Sequence, residues 1–152
     1  MAARLADGDV AAEAVDDLRA AVRVADIVTT CTRSHEPLVR GIDVAPGAHL
    51  DLVGGYTAQT READDEAARR ARIFVDRRES AFHAVGDIVQ PIASGAITEA
   101  DVLGDLHDLV AGRVGRRSAD EITLFKNAGG GHLDLMTAAF VHAQLGAAGG
   151  AA

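Results

Sequence analysis

The chain has 152 residues, 48% of them hydrophobic and 25% charged, which suits one soluble domain with a real core. Its net charge of −8, from 23 acidic against 15 basic side chains, argues against nucleic acid as a partner, because phosphate binding needs a basic face. Aromatics at 3% with no Trp leave no material for base-stacking platforms, and no apolar run approaches the roughly 20 residues that span a bilayer.

The opening residues 1–17 lack the basic and apolar regions of a signal peptide, and the lone Cys31 builds no disulfide framework. The expectation is a cytoplasmic protein with no membrane partner. In chain order, Val10–Val15 reads as a strand followed by a helix from Asp16 through Val24, with a single helix across both as the alternative. Four apolar runs of strand length follow: Val24–Cys31, Ala48–Val53, Arg72–Asp76 and Ile122–Phe125. Each is rich in β-branched residues and stops at a Gly, Asp or polar cluster. The charged segment Arg61–Arg72 reads as a solvated helix face.

Thr98–Gly112 carries Val102, Leu103, Leu106, Leu109 and Val110 on one helical face, with Thr98 as N-cap and Gly112 as stop. A last helix begins near His132, where Leu133, Met136 and Phe140 recur at helical spacing. Residues 146–152 are all Gly and Ala and read as a flexible tail. Strands alternating with helices define an α/β fold with a parallel sheet and flanking helices.

No G-x-G-x-x-G or Walker pattern is present. Ala128–Gly131 follows a strand and precedes a helix, where backbone N–H groups can face a ligand, and reads equally well as a flexible turn. The Gly54-Gly55 doublet ending the second apolar run is the stronger candidate, because glycine there marks close backbone approach. Histidines at 35, 49, 83, 107, 132 and 142 lack metal-ligand spacing, so no metal is expected. Cys31 reads as a small buried side chain rather than a nucleophile, and Ser94 lacks the G-x-S-x-G elbow of hydrolases.

Taken in order, the segments resemble the ornithine cyclodeaminase/mu-crystallin family. The resemblance is carried by Ala25–Thr32, Pro46–Gly55, Arg61-Glu62, Ala71–Asp76, Gly86–Ile92 and Arg117–Asn127. It implies a partial Rossmann-like domain over residues 1–145, binding NAD or NADP and acting on a small amino or imino acid. By the family's pattern Thr32, Val53, Gly54, Gly55 and Asn127 would line the dinucleotide, with Ala128 near the substrate. A physical reading agrees for the two glycines, whose missing Cβ would let the backbone lie against the coenzyme.

Two departures shape the expected function. Where the family carries its catalytic Asp, this chain has Tyr56. Phenols keep their proton at neutral pH and so can donate one to an imine but serve poorly as a base. Ala58-Gln59-Thr60 also lacks the Pro-Gly-Lys that the resemblance to cyclodeaminases would imply there. Reduction of a cyclic imino acid such as Δ1-pyrroline-2-carboxylate is therefore expected before conversion of ornithine to proline and ammonia, with a truncated, non-catalytic binding protein as the third reading.

The second departure is that the family's amino-terminal portion, with its substrate-carboxylate residues, oligomerisation domain and Gly-rich phosphate loop, has no counterpart in these residues. In the usual 3-2-1-4-5-6 order, Val24–Cys31 would then be an apolar edge strand. The partner expected is another copy of the chain or the missing amino-terminal half.

Overall fold

A sheet of five short, largely apolar strands organises the molecule, which a computed structural model describes over residues 11–149. In chain order the elements are α1 (Leu18–Val24), β1 (Ile27–Thr30), β2 (His49–Leu52), α2 (Asp65–Arg70), β3 (Ala71–Val75), α3 (Arg78–Ala84), α4 (Gly86–Ala93), β4 (Val102–Asp105), α5 (Leu106–Val110), β5 (Ile122–Lys126) and α6 (Gly131–Gly149). The five strands lie in the order β1-β2-β5-β3-β4, and every pairing is parallel. This is the expected Rossmann-like α/β sheet. β1 lies at one edge with Ile27 66% exposed, as expected of the first apolar run.

Register sorts the side chains into cross-strand rows. Leu50, Leu124 and Ile73 form one row on the core face, and Leu52, Lys126 and Val75 form the next. Thr30 extends that last row onto β1. The helices cover this face with Val22, Ala67, Ala81 and Ile88, and each large aliphatic side chain buried there stabilises by about 1.5–3 kcal/mol. Arg19 and Arg23 of α1 both reach the buried Asp43, at 2.7 and 2.6 Å, which moors that helix to the short turn Gly41–Asp43. The other sheet face carries a groove lined by His49, Phe74, Leu106, Leu109, Arg116 and Phe125.

Several sequence expectations give way. Residues 11–15 form no strand. They have no neighbour to pair with, and Val15 is exposed; Val10 lies outside the described residues. The helix expected over Thr98–Gly112 divides into three. Thr98 does cap, through a reciprocal box with Asp101, but what it opens is a single 3-10 turn. Val102–Asp105 then becomes strand β4, buried at Val102 and Gly104, because pairing with β3 overrides a pattern that also fits helical spacing. Only Leu106–Val110 is helical.

In the charged segment, Arg61 and Glu62 are buried and the helix spans only Asp65–Arg70. Cys31 is exposed rather than buried. α6 continues through Gly149, so residues 146–149 of the expected tail are helical, where the alanines at 147 and 148 are strong helix formers. Residues 150–152 lie outside the described residues. No helix among the described residues is long and apolar enough to cross a membrane.

Candidate functional site

Three neighbouring strands, β1, β2 and β5, deliver the sequence-selected residues to one place. Thr32 follows β1, Val53 to Tyr56 follow β2, and Asn127 and Ala128 follow β5. The ladder runs one step past the strands, with the N–H of Val53 donating to the Thr30 carbonyl at 2.9 Å and that of Asn127 to the Leu52 carbonyl at 3.0 Å. Ligands of open parallel sheets bind outside this carboxyl edge. Tyr56 stands there 52% exposed.

The turn after β5 is open. Asn127 Oδ1 accepts from the Gly129 N–H at 2.8 Å, an Asx-type turn. Gly129 has φ +82°, and among the described residues a Cβ on Gly129 or Gly131 would face open space beyond its chain neighbours.

The Gly54-Gly55 doublet is different, because the protein itself fills the space beside it. A Cβ on Gly54 would overlap the Glu62 carboxylate and the Thr32 main chain, and one on Gly55 would overlap the Asp87 carboxylate. The missing side chains make room for the protein's own acids and main chain. Glu62, fully buried, accepts on Oε1 from the Thr32 N–H at 2.6 Å and the Thr32 hydroxyl at 2.8 Å. On Oε2 it accepts from the Thr30 hydroxyl at 2.8 Å and the Gly54 N–H at 2.7 Å. Burial pushes the Glu62 carboxyl up, but the donors from Thr30, Thr32 and Gly54 together outweigh it and hold the group below the usual carboxylate range.

A second buried layer supports the first. Asp87 Oδ1 accepts from the Glu62 and Ala63 N–H groups at 2.7 and 3.1 Å, and Oδ2 lies 3.2 Å from Lys126 Nζ. Both side chains of that pair are fully buried. At the end of β3, Asp76 Oδ1 accepts from the Ala128 N–H at 3.0 Å and so fixes the start of the open turn; its Oδ2 is buried without a hydrogen-bond partner.

Sequence reasoning passed over Glu62, Asp76, Asp87 and Lys126. One signal was available for Lys126: it is the chain's sole lysine and falls at an inward position of an alternating strand.

Sheet and edge together define a Rossmann-like α/β protein whose loops gather at the carboxyl ends of parallel strands. Residues 1–148 match the model of the ornithine cyclodeaminase/mu-crystallin family, and the chain belongs to that family. It is 54% identical over 129 residues to the Delta(1)-pyrroline-2-carboxylate reductase of Paracoccus denitrificans, covering 84% of this chain and 41% of the relative.

Among solved structures, Thermococcus litoralis Delta(1)-pyrroline-2-carboxylate reductase in complex with NADH and L-proline is 36% identical, with TM-score 0.73. That likeness covers 76% of this chain and 36% of the other. A probable ornithine cyclodeaminase from Bordetella pertussis Tohama I is also 36% identical, with TM-score 0.76, over 87% of this chain and 42% of the other. The chain spans about two fifths of the length of the curated relative with 54% identity.

Proposed function

We propose that this chain forms the carboxyl-edge part of an NAD(P)H-dependent reductase of cyclic imino acids, with Δ1-pyrroline-2-carboxylate or a similar ketimine as substrate. The observation that carries the reading is the 54% identity to a Delta(1)-pyrroline-2-carboxylate reductase across the segments that build the edge. When bound, the reduced nicotinamide supplies a hydride to the imine carbon. The open backbone from Asn127 to Gly131 and the half-buried Thr32 and Val53 would flank the dinucleotide. Gly54 and Gly55 would act beneath them by shaping the floor, and Ala128, pinned by Asp76, would face the substrate.

Tyr56 would donate the proton that the imine nitrogen gains, a role supported by its exposure after β2. A phenol at this position also favours imine reduction over the deaminating cyclisation of ornithine, which needs a base. The partners in this reading are a small imino or amino acid and either a second copy of the chain or the amino-terminal portion of such an enzyme. A cytoplasmic setting belongs to the same proposal and suits the free thiol of Cys31.

The test is NAD(P)H oxidation with Δ1-pyrroline-2-carboxylate by the chain supplied with the amino-terminal portion of a family member. Turnover is expected, and Tyr56→Phe should lower kcat by about 100-fold, the scale of a lost general acid. Absence of turnover with every ketimine tried would reject the reading, and proline formation from ornithine with catalytic NAD+ would replace it.

A further inference from the structure

We propose that Glu62 is a positioning residue of the carboxyl edge: its buried carboxylate fixes the main chain of Thr32 and Gly54 where β1 and β2 cease to pair. Its bearing on coenzyme binding rests on the reductase reading; its bearing on the backbone does not.

The last main-chain bond between the two strands is from Val53 N–H to the Thr30 carbonyl. Beyond it the carboxylate takes the place of the ladder and accepts one amide from each side, Thr32 from the β1 end and Gly54 from the β2 end. Gly54 has no Cβ because that oxygen occupies the space.

Among the described residues no cation shares the work. Arg61, next in sequence, is directed to the Ala63 carbonyl and Asp65, and Lys126 is held by Asp87. The acid is itself clamped. Its N–H donates to Asp87, and its carbonyl accepts from Leu38 and Val39 at 2.8 and 2.9 Å. Apolar side chains could join two strand ends without the desolvation cost of a buried charge. What a carboxylate adds is direction, because four donors converging on two oxygens leave the Thr32 and Gly54 amides one orientation.

Amide hydrogen exchange and NADH titration of the whole chain test this, using Glu62→Gln, which keeps the shape and turns one acceptor into a donor. The amide of Thr32 or of Gly54, whichever comes to face the new NH2, should exchange about 10-fold faster or more, the cost of an unsatisfied buried donor. The Leu50 and Leu124 amides of the sheet should stay slow, and the NADH Kd should rise by about 10-fold. Ile97→Ala, a core truncation remote from the edge, should lower stability and leave that Kd unchanged.

Unchanged exchange at Thr32 and Gly54 in Glu62→Gln overturns the proposal, as does an equal loss of NADH affinity in Ile97→Ala. If Glu62→Gln does not fold, Thr32→Val removes one hydroxyl donor and keeps the acid. Gly54 exchange about 3-fold faster is then expected, since a lost hydrogen bond weakens the clasp by somewhat under 1 kcal/mol, and unchanged exchange again overturns it. Failure of the unaltered chain to bind NADH even when supplied with the amino-terminal portion of a family member sinks the reductase reading instead, while the exchange data still decide the role of Glu62.

Discussion

Two glycine clusters share one edge of the sheet and do opposite things. At Gly54-Gly55 the volume a side chain would fill is taken by two carboxylates and a neighbouring main chain; at Gly129–Gly131 the corresponding positions of residues 129 and 131 face open space. The sequence ranks them the other way round, because the doublet ends a buried strand and the triplet looks like a turn. Absence of a Cβ marks close approach at the doublet, where it is the protein itself that approaches; at Gly129 it suits the left-handed φ of +82° instead.

Substitutions at the two clusters should therefore separate widely. Gly54→Ala carries the largest expected effect, about 5 kcal/mol or outright loss of folding, because the overlap is partly with Thr32 main chain and cannot be relieved by a rotamer change. Thermal or denaturant unfolding measures it, and a variant as stable as the parent would remove the contrast.

Next comes the layer beneath the doublet. Lys126→Met strands the buried Asp87 charge and should cost about 3–5 kcal/mol. Adding Asp87→Asn should recover part of that loss, so a double-mutant cycle that shows simple additivity would deny the pairing. The open turn should be the most tolerant. Gly129→Ala is expected to cost about 1–2 kcal/mol through its left-handed φ alone, and Gly131→Ala less than about 1 kcal/mol in either direction. A loss at Gly131 as large as that at Gly54 would erase the comparison.

The four strands that announce themselves by β-branched runs, at Ile27–Thr30, His49–Leu52, Ala71–Val75 and Ile122–Lys126, are legible because each is short, apolar and closed by a polar stop. β4 is not. Val102-Leu103 followed by Leu106 satisfies helical and strand spacing alike, and only the neighbouring β3 decides between them. The gathering of the candidate residues is legible too, since Thr32, Tyr56 and Asn127 each follow a strand. Its support is not. Glu62 and Asp87 sit in segments whose composition suggests a solvated surface or an ordinary helix start, and their burial is created by Thr30, Gly54 and Lys126, which are distant in sequence. Long-range pairing of polar groups leaves no periodic trace.

Strand order has a consequence for how the chain matures. β5 ends at Lys126 yet sits in the middle of the sheet, between β2 and β3. While the polypeptide emerges from the ribosome, β1 can join only β2, and β3 only β4, leaving two ribbons with nothing between them. Residues 122–126 are the keystone that joins them. Any chain terminated before Ile122 would therefore leave two bare apolar edges facing outward, a state prone to stick to its own copies.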